Sequence, residues 1–187
     1  MKQIPILIDC DPGVDDSIAI LFALNRPDVE VVGISTSTGN VSAAQGAENA
    51  LRILKLAGRE GQIPVCVGAE KPLVGDVDGF PDFIHGVNGT GDVELPASSQ
   101  KVVDMDVCDF MYQKACEYEG ELVLISLGRM TNLATTIAKY PDFPRKIRRV
   151  VSMGGDGPAV GQGHGQGESG SIQNIRVGLV KSIPVDH

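Results

Sequence analysis

The sequence predicts an α/β protein with an open, mostly parallel, Rossmann-like sheet and helices on both faces. Short runs rich in Val, Ile and Leu alternate along the chain with segments of helical periodicity. This alternation is typical of parallel strands joined by crossover helices. The first apolar run, residues 4–8, has no polar face, which indicates a strand covered on both sides.

The predicted elements follow that pattern in order. Strand 4–8 ends at Asp9, and the apolar positions of residues 17–24 are broad enough for a helix packed on a sheet. A second helix, 42–57, is predicted to close at Gly58. The other predicted elements are strand 29–34, strand 63–67, a long irregular segment 68–99, helix 103–117, strand 121–126, helix 132–139 and strand 149–153.

The chain of 187 residues is long enough for one domain with a sizeable core. We assign residues 1–155 to an α/β domain and residues 156–187 to a divergent, glycine-rich tail of that domain. Residues 154–170 include eight glycines, a composition that opposes a packed element. Since no crossover helix is predicted after strand 149–153, we expect a sheet with one face partly uncovered, incomplete at the C-terminus.

Net charge, cysteine pattern and apolar runs limit the partners, the redox state and the location that we expect for this protein. The formal net charge of −8 opposes nucleic acid or an anionic membrane, and suits a divalent cation or a neutral small molecule. The four cysteines form no CxxC pair, which favours reduced thiols. The N-terminal apolar run is too short for a signal peptide, and no run approaches a membrane span, so we expect a cytoplasmic protein.

Four carboxylates lie between the first strand and the first helix: Asp9, Asp11, Asp15 and Asp16. Ligands of open α/β sheets bind beyond the carboxyl ends of the strands, where this cluster is predicted to lie. Clustered carboxylates repel one another unless they take up protons or cations, and their hard oxygens favour Ca²⁺ or Mg²⁺. A purely structural alternative is that Asp15 or Asp16 caps the helix.

The stretch DCDPGVDD at residues 9–16, directly after an apolar strand, resembles the opening signature of the inosine–uridine-preferring nucleoside hydrolases. The resemblance covers about residues 4–155 and continues, in the family's order, through residues 35–40, 85–89, 127–133 and 151–155. It implies an enzyme of nucleoside salvage with an α/β fold, which cuts the N-glycosidic bond of ribonucleosides and uses Ca²⁺ as its cofactor. Family members are usually dimers or tetramers.

The resemblance also implies roles for individual residues. Asp11 resembles a calcium ligand and the general base that takes a proton from water. Asp16 resembles the second calcium ligand, and Leu127 would offer its backbone carbonyl. Asp15 and Asn40 resemble the residues that hold the ribose hydroxyls, with Asp9 supporting the cluster from behind.

Three further residues have weaker parallels in the family. Met153 resembles a residue that lines the sugar pocket, although a Met after a strand also suits plain core packing. Asn174 is matched to an asparagine near the ribose 5′-hydroxyl. His85 is a candidate contact of the leaving base, and its alternative is an ordinary surface residue of a loop.

The sequence departs from the family pattern in its last part. The family's C-terminal half supplies a further Asp ligand and commonly a His near the base, and neither is assigned in this chain. Ile172 stands where the family has an acidic residue. We therefore expect this chain alone to bind Ca²⁺ weakly and to hydrolyse nucleosides poorly.

Two alternatives remain open from the sequence. One is a catalytically inactive fragment that keeps the nucleoside hydrolase fold. The other is a Mg²⁺-dependent phosphatase of the haloacid dehalogenase type, which also begins with a strand followed by DxD. Against the phosphatase, Gly13 stands where that motif has Thr or Val, and its scheme has no place for Asp15 and Asp16.

Overall fold

Five strands form the centre of the computed structural model, which describes residues 2–77 and 79–153. The strands are β1 (Ile4–Cys10), β2 (Val29–Thr36), β3 (Val65–Val67), β4 (Val123–Ser126) and β5 (Arg149–Ser152). Their order across the sheet is β3-β2-β1-β4-β5, and every neighbouring pair is parallel. The predicted open parallel sheet is confirmed.

Helices cover both faces of this sheet. They are α1 (Val14–Leu24), α2 (Ala43–Leu56), α3 (Asp82–His85), α4 (Val107–Glu117), α5 (Thr131–Lys139) and α6 (Phe143–Lys146). Helices α1 and α2 pack on one face, in a core that includes Ile20 and Leu54. Helices α4, α5 and α6 pack on the opposite face, in a core that includes Phe110 and Phe143.

Strand β1 lies in the middle because both of its faces are apolar. Ile6, Ile8 and Cys10 point into the core shared with α1 and α2, whereas Leu7 points into the core shared with α4. Burial of one such side chain stabilises the folded state by about 1.5–3 kcal/mol. The same alternation places Asp9 on the Leu7 side of the sheet, where it is fully buried.

Some element boundaries differ from the sequence prediction. Helix α1 begins at Val14 rather than 17, which puts Asp15 and Asp16 in its first turn, where the helix dipole favours negative charge. Helix α4 begins at Val107 rather than 103, because Asp106 caps it and Val103 N–H donates to the Val65 carbonyl at 2.8 Å. The one-turn helices α3 and α6 were not predicted, since four residues are too few to show helical periodicity.

Candidate active site

The acidic cluster lies at the carboxyl end of β1, where the strand order reverses. From β1 the sheet runs to β2 and β3 on one side and to β4 and β5 on the other, so β1 and β4 flank a topological switch point. Ligands of open parallel sheets bind at such a point. Asp11 follows β1 directly, and residues 127–130 follow β4 and lead into α5.

Asp11 and Asp16 form the buried centre of the cluster. Asp16 Oδ2 accepts a hydrogen bond from the Asp11 backbone N–H at 2.9 Å, and Asp11 Oδ2 accepts one from Asn40 N–H at 2.7 Å. Only 7% of Asp11 and 2% of Asp16 is exposed. Asp16 thus binds the backbone of the turn between β1 and α1. It does not cap the helix, whose N-cap is Gly13.

Burial changes the charge of both carboxyl groups. Desolvation, followed by the charge of Asp11, raises the pKa of Asp16 from 3.8 to about 8. Desolvation also raises the pKa of Asp11, against the opposing effect of the Asn40 N–H hydrogen bond. Among the described residues no Lys or Arg forms an ion pair with Asp9, Asp11 or Asp16. Burial without a cationic partner among the described residues thus favours the protonated form of this pair.

Two glycines bring backbone against the Asp11 carboxylate. A Cβ at Gly39 would overlap Asp11 Oδ2, and a Cβ at Gly128 would lie 2.5 Å from Asp11 Oδ1. The loops after β2 and β4 therefore converge on Asp11 from both sides. Leu127 precedes Gly128, and its backbone N–H donates to the Asp9 carbonyl at 2.8 Å.

Asp9 lies behind this centre in a dense hydrogen-bond network. Its Oδ1 accepts from Ser35 Oγ at 2.7 Å and from Asn132 Nδ2 at 2.8 Å. Asn132 Nδ2 also donates to the Thr36 carbonyl, and Asn132 Oδ1 accepts from Ala69 N–H. Asn132, fully buried at the start of α5, thus ties together the ends of β1, β2 and β3.

Several buried polar atoms around Asp9 have no hydrogen-bond partner within the described part of the chain. They are Asp9 Oδ2, Ser37 Oγ, Thr38 Oγ1 and Ser126 Oγ. All four belong to the carboxyl ends of β1, β2 and β4 or to the residues that follow them. Leaving a buried polar group unsatisfied costs roughly 1–3 kcal/mol, so such a cluster indicates a place for bound water or ligand.

His85 is buried beside the cluster rather than exposed on a loop, so the surface alternative is wrong. Its Nδ1 accepts from Val14 N–H at 3.2 Å and lies 3.8 Å from Asp15 Oδ1. A Cβ at Gly13 would meet both His85 Nδ1, at 2.7 Å, and Asn40 Nδ2, at 2.8 Å. Gly13 therefore lets His85 and Asn40 approach the turn from two directions, and the Asp15 side chain remains exposed beside them.

A second asparagine holds the His85 segment in place. Asn49 Nδ2, on α2, donates to the Pro12 carbonyl at 3.0 Å and to the Asn88 carbonyl at 2.9 Å. This buried side chain couples residues 85–89 to the turn after β1. Asn49 and Asn132 were both missed as functional candidates; the signal for Asn132 was its place in the stretch 127–133.

The remaining candidates lie at the margin or outside the described residues. Met153 follows β5 and is 61% exposed, so the core-packing alternative is wrong among the residues described. Asn174 lies outside the described residues. Within residues 2–77 and 79–153, no helix is long and apolar enough to cross a membrane.

The donor set of the site suits a hard cation. Asp11 and Asp16 bring two buried carboxylates together, and oxygen donors of this kind favour Ca²⁺ or Mg²⁺. Among the residues that the structure describes, no group of three or more His, Cys, Asp or Glu is placed to hold a metal. The two carboxylates thus supply part of a coordination shell, and carbonyls, water or a ligand would have to complete it.

Comparison with known proteins gives one consistent result. Residues 6–170 match the family model described as inosine-uridine preferring nucleoside hydrolase. Uridine nucleosidase 1 of Arabidopsis thaliana is 41% identical over 154 residues, which is 82% of this chain and 46% of that protein. The chain therefore spans about half the length of the curated relatives it matches.

Solved structures agree with the sequence comparison. The plant nucleoside hydrolase PpNRh1 matches with a TM-score of 0.78 and 38% identity, over 82% of this chain and 48% of that one. The purine-preferring ribonucleoside hydrolase from Gardnerella vaginalis matches with a TM-score of 0.77 and 38% identity, over 81% and 49%. The similarity in sequence and the similarity in fold thus each cover about four fifths of the chain.

Proposed function

The chain belongs to the inosine-uridine preferring nucleoside hydrolase family, and on that premise we propose that it hydrolyses the N-glycosidic bond of ribonucleosides at the carboxyl end of β1. The observation that carries the proposal is the buried pair Asp11 and Asp16, which has no cationic partner among the described residues. Family membership favours this reaction over the phosphatase alternative. The inactive fragment remains the alternative that the experiment below must exclude.

We assign Ca²⁺ as the cation, held by Asp11, Asp16 and the Leu127 carbonyl. The raised pKa values of both carboxyl groups support this assignment, because a cation would take the place of the retained protons. A bound divalent cation would supply positive charge that favours loss of a proton from a water molecule beside it. The Ser37, Thr38 and Ser126 hydroxyls, which have no hydrogen-bond partner within the described residues, are available to bind water.

Asp11 acts as the general base in this proposal. It takes a proton from water as the water oxygen bonds to the anomeric carbon of the ribose and the bond from that carbon to the base nitrogen breaks. Positive charge develops on the ribose during this step, and the carboxylates around it stabilise that charge electrostatically. The Asn40 N–H hydrogen bond to Asp11 Oδ2 fixes the orientation of this carboxylate.

Asp15 and Asn40 are proposed to hold the ribose hydroxyls, because both side chains border the turn at Gly13. His85 is proposed to face the leaving base. Since its Nδ1 accepts the Val14 N–H, the neutral ring carries its proton on Nε2, which can donate to a base that has gained the electron pair of the broken bond. Met153 and Asn174 remain predictions as sugar contacts, as do the dimer or tetramer and the cytoplasmic location.

The test is release of the free base from inosine and from uridine, measured with Ca²⁺ and with a chelator. Relatives are named for uridine and for purine preference, so both substrates are needed. We expect release that requires Ca²⁺ and is lost in Asp11→Asn. Equal release with and without chelator would contradict the cation-dependent mechanism, and no release from the chain under any condition would favour the inactive alternative.

A further inference from the structure

The His85 loop, residues 85–92, is held together by its own hydrogen bonds. The Gly91 N–H donates to the His85 carbonyl at 2.6 Å, and Oδ1 of Asn88 accepts from the Asp92 N–H at 3.0 Å. These bonds link the two ends of the loop to each other and to its middle. A contact that fixes Asn88 therefore also limits where the His85 ring can lie.

One amide group of helix α2 fixes this loop against the turn after β1. Asn49 Nδ2 donates to the Asn88 carbonyl at 2.9 Å and to the Pro12 carbonyl at 3.0 Å. Because carbonyl oxygens can only accept, the NH₂ group has to face them, and Gln45 Nε2 donates to the remaining Oδ1 at 2.9 Å. Only 1% of Asn49 is exposed, so bulk water is excluded from these bonds.

The loop and the turn touch at two places. At the first, Gly89 has a φ of +81°, and a Cβ there would lie 2.8 Å from Asn49 Nδ2. At the second, His85 Nδ1 accepts from the Val14 N–H at 3.2 Å, and a Cβ at Gly13 would lie 2.7 Å from the same nitrogen. Asn49 bridges loop and turn at the first place and thereby sets their approach at the second.

The approach at Val14 decides which nitrogen of His85 carries the proton. Nδ1 accepts the Val14 N–H with its lone pair, so the proton of the neutral ring lies on Nε2. Asp15 Oδ1 lies 3.8 Å from the same Nδ1, and a carboxylate there favours a proton on Nδ1. The two neighbours thus favour opposite tautomers, and the position of the ring selects between them.

We propose that Asn49 is a positioning residue for His85. Its amide holds the Pro12 and Asn88 carbonyls, which keeps the ring on the Val14 N–H and leaves Nε2–H as the hydrogen-bond donor of the ring. The further role of this donor, to face the leaving base, rests on the proposed function. A fixed donor there stabilises the negative charge that develops on the base as its bond to the ribose breaks.

Nitrogen NMR of the histidine-labelled chain tests the tautomer without any need for turnover. His85→Gln identifies the His85 resonances among those of the three histidines. At a pH where the ring is neutral, we expect Nδ1 without a proton and Nε2 with one. Asn49→Asp keeps the shape of the side chain but removes both donors, and should move much of the proton to Nδ1. Asn49→Ala removes the donors without adding a charge and should cause the same change if Asn49→Asp fails to fold.

Leu54→Ala is the matched control for general destabilisation. Leu54 lies on the same helix as Asn49 and is fully buried, but it packs in the apolar core. The change should destabilise the chain and leave the His85 resonances as in the wild type. The proposal is overturned if wild-type His85 carries its proton on Nδ1, if the Asn49 variants leave the resonances unchanged, or if Leu54→Ala changes them as much.

Turnover of two substrates separates positioning from general damage to the site. Inosine needs a donor at its leaving base, whereas 4-nitrophenyl riboside releases a phenolate that leaves without one. Asn49→Ala should lower kcat for inosine about 10²-fold, with KM little changed, and should leave kcat for the nitrophenyl riboside near the wild-type value. Equal losses on both substrates would overturn the positioning role. If the wild-type chain turns over neither substrate, the proposed function fails, and the His85 resonances alone decide the role of Asn49.

Discussion

Acidic residues occur in two regions of this protein with opposite surroundings. On the outer surface of α4 and α5, Lys139 lies within 3.1 Å of Asp106 and contacts Asp109 at 2.6 Å, and Tyr140 donates to Asp109. At the end of β1, Asp11 and Asp16 are buried beside each other, and no Lys or Arg of the described residues pairs with them. The first region neutralises its charge within the protein, whereas the second does not.

The pKa values of the two regions reflect this difference. The hydrogen bond from Lys139 lowers the pKa of Asp109, while burial raises the pKa of Asp16 to about 8 and that of Asp9 to about 6. A fold gains nothing from buried carboxylates that must hold protons near neutral pH. The comparison therefore indicates that the β1 cluster is suited to bind a ligand, whereas the surface carboxylates form ion pairs within the protein.

The largest expected difference between the two regions is in nucleoside turnover. Asp11→Asn should lower nucleoside turnover by about 10²–10⁴-fold, because it removes the general base. The fold should persist, since an amide oxygen can still accept the Asn40 N–H hydrogen bond. Steady-state release of base decides it, with Asp109→Asn as the control that should keep wild-type turnover; near wild-type turnover in Asp11→Asn would refute its role.

Asn132→Ala should have the largest effect on stability. It removes the donor to Asp9 and Thr36 and leaves the Ala69 N–H without its acceptor, which should lower the free energy of unfolding by about 2–4 kcal/mol. Urea denaturation measures this. Asn25→Ala, at the exposed end of α1, should change stability by less than about 0.5 kcal/mol. Similar losses of unfolding free energy in both variants would show that the hydrogen bonds of Asn132 add no particular stability.

The raised pKa values predict a dependence of stability on pH. Asp9 and Asp16 bind protons more tightly in the folded state than at their ordinary pKa of 3.8. Their contribution is therefore fully present below about pH 4 and is lost as pH rises through about 6 and then about 8. With a chelator present, thermal denaturation should show a falling melting temperature across this range, and Asp16→Asn should flatten its upper part. A melting temperature that rises steadily from pH 5 to 8 would show that another group dominates.

The smallest effect is expected on the surface. Asp109→Asn removes one partner of Lys139, but Asp106 remains within reach and both groups are solvated. We expect no measurable change in unfolding by urea. A clear destabilisation would mean that the surface network matters to the fold as much as the buried cluster does.

The sequence predicted those parts of the site that depend on local structure. An apolar strand, a Pro-Gly turn and a helix are adjacent along the chain. The positions of Asp11 and Asp16 in the site could therefore be predicted from residues 4–24 alone. The hydrogen bond from Asn132 to Asp9 joins residues 123 positions apart, and hydrophobic periodicity cannot predict such a contact. The burial of His85 depends likewise on Asn49, which fixes the Asn88 carbonyl from α2. Within the site, sequence reasoning therefore missed these long-range hydrogen bonds.

Calorimetric titration of the chain with Ca²⁺ tests the central claim most directly. If the β1 cluster is a cation site, the wild-type chain should bind one Ca²⁺ with release of protons, because Asp16 gives up the proton that its pKa of about 8 retains at neutral pH. With only two carboxylate ligands described, we expect a dissociation constant of roughly 10⁻⁴–10⁻³ M. Asp16→Asn should weaken binding at least tenfold, and Asp109→Asn should not. Absence of Ca²⁺ binding, or binding that Asp16→Asn leaves unchanged, would contradict the account.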